Sequence, residues 1–297
     1  MELQQLRYFS SVARHRNFTR AAEECRVSQP ALSIQVKKLE AELGAPLFHR
    51  QGRTIVLTNV GKQLEGKAES LLRLHRSTLD EMKDAVVSGG EAHFGATLTI
   101  APYLIPYVVS HANKADIPPF TMQENFTEGL LASILDGSLD FALMSTPVEE
   151  PRLLAKVIAR EPFVLVVPAG HALARTRKVL AADVRQEPFL PLSQIHCAGR
   201  QINAFIQEAD ERPKASFESA QIDTILKLVN SGQGVSLLPK MAVLGSLSEG
   251  LCYREISDVK VGRDISMVHH PDRYLSDSVR KLMTLLESCV NGFVKEH

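Results

Sequence analysis

The sequence lacks the features that mark a zinc site, a redox-active cysteine pair or a membrane anchor. Its 297 residues contain four cysteines, and none of them forms a CxxC pair, which excludes the spacing of zinc sites and thioredoxin-like sites. No apolar run is long enough to span a membrane, and the N-terminus has no apolar core of a secretory signal. We therefore expect a cytoplasmic protein with reduced thiols and without a cofactor, a metal or a membrane partner.

Catalytic motifs and net charge are also absent. The 34 basic and 34 acidic residues cancel, so no overall field attracts nucleic acid or membrane. There is no GxSxG, HExxH, P-loop or GxGxxG motif, and we expect no enzyme. The charge is uneven, however, because residues 1–60 hold nine basic and five acidic side chains. A basic head on an acidic body favours nucleic-acid binding by the head.

The first 58 residues have the pattern of short helices followed by a two-stranded wing. Thr19 and Ser28 each precede a helical run and are predicted N-caps. Pro30 falls in the first turn of a helix, where its missing N–H costs nothing. The segment after Gly44 alternates around a glycine, as the strands of a hairpin do. We predict a mostly α-helical winged helix-turn-helix domain over residues 1–58.

Residues 59–87 follow as a long linker helix that Thr58 caps and that no proline interrupts. Its approximate three-four stripe consists of Leu64, Ala68, Leu71, His75, Thr78 and Met82. The two polar members weaken the coiled-coil pattern. The stripe could therefore pack either against a second subunit or against a neighbouring domain. The glycine-rich segment Ser88–Gly95 is predicted to be a hinge.

Residues 88–297 alternate between short apolar strands and helices. This alternation predicts a two-lobed α/β domain with a mostly parallel sheet, so the chain as a whole is α+β. Ligands in such folds lie at the carboxyl ends of strands. We place lobe I at about residues 92–163 and 267–297, and lobe II at about 164–266. The predicted strands are residues 94–99, 120–125, 139–145, 162–168, 215–219, 234–239 and 264–270.

The segment from Phe18 to Gly61 resembles the DNA-binding domain of the LysR-type transcriptional regulators. The matching elements are AA at 21–22, VSQPALS at 27–33, Gln35, LE at 39–40, LG at 43–44, LF at 47–48, GR at 52–53 and LT with G at 57–61. The resemblance implies a periplasmic-binding-protein-like effector domain after the linker. It also implies a homo-oligomer, a dimer of dimers, that binds a promoter inverted repeat in double-stranded DNA. RNA polymerase is a further candidate partner.

In this geometry the recognition helix places its N-terminal residues against base edges. We expect Gln29 and Ser33 to face the major groove and Pro30 to make an apolar contact with a base. Phosphate contacts are expected from Lys37, Arg50 and Arg53. Position 34, which commonly carries a basic residue in the family, is Ile34.

A second resemblance is to the OxyR branch of the family, which senses hydrogen peroxide. It rests on LTIAPYLIP at 98–106, HCAGRQ at 196–201 and the segment 224–239. The resemblance implies that Cys197, which follows His196, is the peroxide-reactive residue. It places pocket threonines at Thr99 and Thr127. A helix start and a neighbouring imidazole both favour a thiolate over a thiol.

Two positions depart from this branch. Ile206 stands where the branch has the second cysteine of its disulfide. We place the pocket arginine of the branch at His270, and a histidine can lose its charge near neutral pH. The oxidised form of Cys197 is then a sulfenic acid, a mixed disulfide or a disulfide with Cys252. Cys25 and Cys289 are expected in the core.

Three hypotheses stay open for the C-terminal part. The first is peroxide sensing at Cys197. The second is a small organic, carboxylate-like effector in the interlobe cleft, with Cys197 as a small buried side chain. The groups expected to bind it are helix N-termini and the hydroxyls of Thr99, Ser145 and Thr146. The third is an enzyme or a solute-binding protein, which would not need residues 1–60.

Overall fold

The computed structural model describes residues 1–51, 54–86, 90–111, 117–207, 217–244 and 250–296. The chain divides into two compact units. The N-terminal unit consists of residues 1–86 with 135–138 and 272–274, and the C-terminal unit holds the remainder. Among the helices in these described ranges, none is both long and apolar enough to cross a membrane.

The N-terminal unit is a winged helix-turn-helix followed by a long helix. Its elements are α1 (Leu3–His15), α2 (Phe18–Cys25), α3 (Gln29–Leu43), β1 (Phe48–Gln51), β2 (Thr54–Leu57) and α4 (Asn59–Val86). The two strands pair antiparallel. The predicted winged helix-turn-helix and the predicted linker helix are both confirmed.

Side-chain caps determine where these helices begin. The hydroxyl of Ser28 accepts a hydrogen bond from the backbone of α3, and that of Thr58 does the same for α4. Both N-caps agree with the sequence analysis. The cap of α2 is Asn17 rather than Thr19, because the Asn17 side chain accepts from two backbone amides of the first turn. Asparagine is among the strongest N-caps, and Thr19 lies inside the helix.

Small residues let α2 and α3 pack closely. Ala21 and Ala22 are buried in a hydrophobic cluster whose other members are Tyr8, Val12, Leu32 and Val36. Cys25 is half-buried against this cluster. Ala68 on α4 is buried in a second cluster with Phe9 of α1. The predicted stripe of α4 therefore divides, since its N-terminal part packs within the unit whereas Leu71 and Met82 are exposed.

The C-terminal unit is built on a seven-stranded sheet. Its strands are β3 (Ala92–Thr97), β4 (Phe120–Asn125), β5 (Phe141–Thr146), β6 (Leu154–Pro168), β7 (Ser236–Pro239), β8 (Leu251–Arg254) and β9 (Gly262–His269). The strand order is β4-β3-β5-β9-β6-β7, and β8 also pairs with β6. The helices are α5 (Ala101–His111), α6 (Thr127–Leu135), α7 (Ala172–Arg175), α8 (Ala181–Arg185), α9 (Cys197–Gln207), α10 (Ile222–Asn230), α11 (Lys240–Leu244) and α12 (Asp277–Glu296).

The prediction of a mostly parallel sheet is wrong for the described strands. Strand β3 pairs in parallel with β4 and β5, whereas the pairs β5–β9, β6–β9, β6–β7 and β6–β8 are antiparallel. Helices α5 and α6 supply the crossovers that the parallel pairs need. Strand β9 returns late in the chain and inserts between β5 and β6 in the opposite direction, which a strand-by-strand prediction does not reveal.

The long strand β6 connects two hydrophobic clusters. Its first half pairs with β9, and its second half pairs with β7 and β8. One cluster gathers residues of β3, β5, β9, α5 and α12, and the other gathers residues of β6, β7, α9 and α10. These clusters form the predicted two-lobed α/β arrangement. The predicted strand began at Pro162, but β6 begins at Leu154 and runs through that proline.

Other differences are local. Residues 92–95 of the predicted hinge belong to β3, and residues 87–89 lie outside the described residues. Of the predicted strand 215–219, the structure describes only residues 217–219. In this part a single β-bridge joins Leu192 and Ser219. The elements that the sequence analysis did not predict are α7, α8, α11 and β8, which are all short.

Candidate functional site

Helix α3 carries most of the residues predicted to contact DNA. Gln29, Pro30 and Lys37 are exposed and Ser33 is half-buried. Gln29, Ser33 and Lys37 follow one another at four-residue spacing, so they share one face of the helix. This face offers amide, hydroxyl and ammonium donors to a DNA groove. Ile34 is 55% exposed and adds an apolar side chain at the position where the family commonly has a basic one.

The two predicted wing arginines are located less completely. Arg50 belongs to β1, but its side chain is not among those that the structure describes. Arg53 lies outside the described residues. Their phosphate contacts stay predictions.

Cys197 begins α9, and its thiol has two polar neighbours. The Thr127 hydroxyl oxygen lies 2.9 Å from the sulfur, and Arg200 Nη2 donates to the sulfur at 3.0 Å. Arg200 Nη1 donates to the Gln194 carbonyl at 3.0 Å, which orients the guanidinium. Both this charge and the start of a helix can stabilise negative charge that develops on the sulfur during a reaction. Arg200 was missed in the sequence, although it follows Cys197 at a helical i, i+3 spacing.

The backbone around Cys197 is held by a close approach at Gly199. A Cβ atom at this position would lie 2.1 Å from the carbonyl oxygen of Ser193, so only glycine permits the first turn of α9 to pack here. Thr127 reaches the same place from the other lobe, because it begins α6 directly after β4. The hydrogen bond between Thr127 and Cys197 thus joins the starts of two helices, α6 and α9, that come from different lobes.

The imidazole of His196 is engaged with other groups. Its Nε2 lies 2.7 Å from the carbonyl oxygen of Ala220, and its ring centroid lies 5.3 Å from that of Phe126. Burial lowers the pKa of His196 from its usual 6.5, and the charges of Arg263 and Arg200 lower it further, against the effect of the Ala220 hydrogen bond. The ring is therefore neutral at pH 7. The charged group that contacts the thiol is the guanidinium of Arg200, whereas the sequence analysis expected the imidazole of His196 beside it.

A buried arginine that the sequence analysis did not single out binds Thr99. Arg263 Nη1 donates to the hydroxyls of Thr99 at 2.7 Å and Ser145 at 3.2 Å, and Nη2 donates to the Thr99 carbonyl at 2.9 Å. Arg263 Nε donates to Glu161 Oε2 at 2.7 Å. The other oxygen of Glu161 accepts from the Met241 backbone amide at 2.6 Å. Arg263 and Glu161 are each 1% exposed.

This ion pair lies where the chain passes between the lobes. Glu161 on β6 is directly opposite Arg263 on β9, and the hydroxyls that Arg263 binds stand at the ends of β3 and β5. A buried guanidinium needs a partner for its charge and acceptors for its N–H groups, and it has both here. Because the Arg263 charge acts on His196, it also reaches electrostatically to the start of α9.

The placement of the pocket arginine of the branch at His270 stays a prediction. His270 follows the end of β9 and is buried. The pKa of Glu150 is lowered mainly by hydrogen bonding to Arg152, and the charge of His270 is a smaller cause. The arginine that binds Thr99 is Arg263, near the start of the same strand. Sequence alone shows basic residues at Arg263, His269 and His270 but not which of them faces the site.

The cysteines are all free thiols. Ile206 is 4% exposed and lies in the hydrophobic core with Ile202 and Phe205, so these residues form the buried apolar face of α9. Cys252 is half-buried in β8. Burial raises the pKa of Cys289, which makes this thiol less reactive. The sulfur with a charged donor is that of Cys197.

A cleft of about 590 Å³ opens beside Cys197. Its walls include one cation, Arg200, and the carboxylates of Glu128 and Glu149. Glu128 Oε1 lies 3.8 Å from Arg200 Nη1. No cluster of three metal-ligating side chains occurs in the part of the chain that the structure describes. The cleft gives a small polar molecule access to the half-buried sulfur.

Two family models match this chain. The model of the bacterial regulatory helix-turn-helix proteins of the lysR family matches residues 3–62, and that of the LysR substrate binding domain matches residues 87–289. A hydrogen peroxide-inducible genes activator of Dickeya chrysanthemi is 33% identical over 96% of this chain and 97% of its own length. The DNA-binding transcriptional dual regulator OxyR of Escherichia coli K12 is 31% identical, with coverage of 98% and 97%.

Solved structures show the same fold. A full-length OxyR from Pseudomonas aeruginosa with a cysteine-to-aspartate substitution has a TM-score of 0.71, 28% identity and coverage of 99% of this chain and 97% of its own. A cysteine-to-serine variant of Corynebacterium glutamicum OxyR with hydrogen peroxide bound has a TM-score of 0.63, 27% identity and coverage of 99% and 93%. With both family models and full-length relatives in agreement, the chain belongs to the LysR family of bacterial transcription regulators.

Proposed function

We propose that this LysR-family regulator is switched by hydrogen peroxide, which oxidises Cys197. The observation that carries the proposal is the pair of polar partners, Arg200 and Thr127, on the sulfur of a cysteine that begins a helix. The similar proteins named hydrogen peroxide-inducible genes activator support the choice of oxidant. In this account the protein has no catalytic turnover and acts in the cytoplasm.

The chemistry requires a thiolate and a way to dispose of hydroxide. The Cys197 thiolate attacks one oxygen of peroxide, the O–O bond breaks, and the departing hydroxide takes a proton to leave as water. The Arg200 guanidinium stabilises the negative charge on the sulfur before attack. Thr127 supplies a hydroxyl that can donate to sulfur or to a peroxide oxygen. These groups need a small site with a few polar atoms, as the start of α9 provides.

Thr99 and Arg263 complete the proposed site from the other side. The Thr99 hydroxyl accepts from Arg263, so its own O–H is oriented for donation to a different acceptor. We propose that peroxide is this acceptor and that Arg263 acts by positioning Thr99. His196 is proposed to hold the segment before α9 through its bond to Ala220, and His270 stays a proposed member of the pocket.

The alternative of an organic carboxylate effector is disfavoured by the same geometry. The hydroxyls of Thr99 and Ser145 were expected to bind such a ligand, but both bind the guanidinium of Arg263. That guanidinium is already neutralised by Glu161. The side chain of Thr146 is not among those described. A carboxylate bound here would have to disrupt a buried ion pair, which is costly.

DNA binding follows from α3 and the wing. We propose that Gln29, Ser33 and Pro30 contact base edges and that Lys37, Arg50 and Arg53 contact phosphates. A second subunit is proposed to pack on four exposed apolar residues of α4, which are Leu71, Leu74, Leu79 and Met82. Such a dimer reads an inverted repeat, and a dimer of dimers spans two sites. RNA polymerase is the proposed downstream partner.

We further propose the domain boundaries at residues 1–58, 59–87 and 88–297. Within the last domain, the proposed lobes are residues 92–163 with 267–297 and residues 164–266.

The test is a DNase I footprint on the promoter region of the chain's own gene, with the reduced protein before and after one equivalent of peroxide. We expect the wild type and Cys252→Ser to change their footprint, and Cys197→Ser to keep the reduced footprint. Cys252→Ser is the matched control, because it removes a half-buried thiol outside the cleft. A footprint that shifts equally in Cys197→Ser, or that never shifts in the wild type, contradicts the proposal.

A further inference from the structure

Thr97, the last residue of β3, carries a buried hydroxyl without a hydrogen-bond partner. The residue is 6% exposed, and its hydroxyl oxygen is buried with no partner among the residues that the structure describes. The nearby Thr99 differs, because its hydroxyl accepts from Arg263. A buried hydroxyl that lacks a partner destabilises a fold, so its presence needs a physical reason.

The Thr97 side chain faces the start of α6. Side chains alternate along a strand, so Thr97 and Gly95 share one face of β3. That face packs on α6, since a Cβ atom at Gly95 would lie 2.5 Å from the side chain of Leu130. Thr97 is also directly opposite Asn125, the last residue of β4, and α6 begins two residues later, at Thr127. The Thr97 hydroxyl therefore lies against the first turn of α6.

The start of α6 is also where the reactive sulfur is held. Helix α6 has nine residues, and the hydroxyl oxygen of its first residue, Thr127, lies 2.9 Å from the Cys197 sulfur. The first N–H groups of a helix have no intrahelical acceptors, and they lie at the positive end of the helix dipole. An oxygen that gains negative charge beside Cys197 is therefore stabilised at this helix start.

We propose that Thr97 is a further binding residue of the peroxide site and that its hydroxyl donates to the peroxide oxygen that departs as hydroxide. The inference rests on the proposed function, because it needs peroxide to react at Cys197. The departing oxygen gains negative charge as the O–O bond breaks, and a donor that is already in place stabilises that charge without reorganisation. Thr97 gains its hydrogen-bond partner when peroxide binds.

The step keeps its balance of atoms and electrons. The Cys197 sulfur attacks the nearer peroxide oxygen as a thiolate, the S–O bond forms, and the O–O bond breaks. The electron pair of the O–O bond stays on the farther oxygen, which takes the proton that the thiol released and leaves as water. The sulfur loses two electrons and peroxide gains two. Thr97 donates a hydrogen bond and keeps its own proton.

The experiment compares two reagents that react with the same sulfur. The reduced full-length protein is mixed with excess peroxide or excess iodoacetamide, and peptide mass spectrometry follows the free thiol that remains at Cys197. Iodoacetamide has no peroxide oxygen, so its rate reports only the access to the sulfur and the nucleophilicity of the sulfur. The variants are Thr97→Val, which keeps the shape but removes the hydroxyl, and Thr97→Ser, which keeps the hydroxyl.

The matched control is Ser10→Ala. The Ser10 hydroxyl is likewise buried without a partner among the described residues, but it lies on α1 of the N-terminal unit. We expect Ser10→Ala to leave the rates with both reagents unchanged. It shows what the loss of a buried, unpartnered hydroxyl does when that hydroxyl is outside the peroxide site.

For Thr97→Val we expect the peroxide rate to fall by about fivefold to tenfold, the effect of one hydrogen bond, while the iodoacetamide rate keeps its wild-type value. Thr97→Ser should restore most of the peroxide rate. In urea unfolding, Thr97→Val should have a midpoint at or above that of the wild type, because the fold loses no hydrogen bond.

An unchanged ratio of the peroxide rate to the iodoacetamide rate in Thr97→Val overturns the inference. This includes a result in which both rates fall together, which is the result expected if Thr97 only packs against α6 or binds a structural water. A peroxide rate of Thr97→Ser as low as that of Thr97→Val also overturns it. If iodoacetamide alkylates Cys197 of the wild type but peroxide leaves it unoxidised, the proposed function itself fails. The wild type alone gives that result, so the two failures are distinguished.

Discussion

Replacement of Arg200 tests whether its guanidinium activates the Cys197 thiol. Arg200 Nη2 donates to the sulfur at 3.0 Å, and the side chain is 44% exposed. A hydrogen bond to a charged group contributes about 1.5–3 kcal/mol, and solvent exposure reduces this to about 1 kcal/mol. Removal of the guanidinium therefore takes about 1 kcal/mol of stabilisation from negative charge on the sulfur.

The rate of oxidation falls by less than the factor of about five that corresponds to about 1 kcal/mol. A less stabilised thiolate is a better nucleophile, and this compensates about half of the logarithm of the loss. For Arg200→Met we therefore expect peroxide to oxidise Cys197 about twofold to threefold more slowly near neutral pH. Arg200→Lys keeps a charge but loses the forked geometry of the guanidinium. Its oxidation rate should therefore lie between those of the wild type and Arg200→Met.

The assay is stopped-flow mixing with peroxide in pseudo-first-order excess, with quenched samples analysed for free thiol at Cys197. Arg175→Met is the matched control, because Arg175 is an exposed arginine on α7 that does not line the cleft. Its rate should equal that of the wild type. An Arg200→Met rate equal to or above the wild-type rate would refute the assignment of Arg200 as the activating cation.

Three further outcomes follow from the described contacts. Arg263→Met should cost about 3–5 kcal/mol in urea unfolding, because the buried Glu161 carboxylate loses its partner, and adding Glu161→Gln should restore part of the loss. Since the folded-state pKa of His196 is lowered, the unfolded state gains its proton first as the pH falls below 6.5, so the wild type should lose stability there relative to His196→Asn. In DNA titrations, Gln29→Ala should cost about 1–3 kcal/mol at one base pair, whereas Lys37→Ala should weaken all sequences and reduce the salt slope by about one.

Local chemistry made much of the N-terminal unit predictable. Ser28 and Thr58 cap helices in the structure as they do in the sequence pattern, because an N-cap depends on the residues that directly follow it. Asn17 was missed since two capping residues occur close together and only the backbone conformation selects between them. The wing and α3 could be located for the same reason, as short segments whose contacts are mostly local.

The strand pairing was not predictable in this way. Strand β9 inserts between β5 and β6 from far along the chain, so its direction depends on long-range contacts. The true start of β6 was missed because Pro162 was taken as the first residue of the strand. It is instead the point where pairing with β9 ends and β7 takes over. A proline fits at such a change of partners, where no ladder hydrogen bond is lost.

The candidate site was predictable only where its residues are close in sequence. Cys197 and the helix start beside it could be located from the pattern, and Arg200 could have been found at i, i+3. Arg263 could not, because a lone arginine near the start of a strand carries no periodic signal. Its role emerges from the buried bonds to Thr99 and Glu161, which join strands distant in the chain.

The most direct test of the central claim is the location of the first oxygen atom. The reduced protein is treated briefly with one equivalent of peroxide, sulfenic acid is trapped with dimedone, and the digested peptides are analysed by mass spectrometry. The four cysteines of one chain compete, so Cys25, Cys252 and Cys289 serve as internal controls. The account predicts the adduct on Cys197 with little on the other three, whereas an even distribution, or an adduct mainly on Cys252, would contradict it.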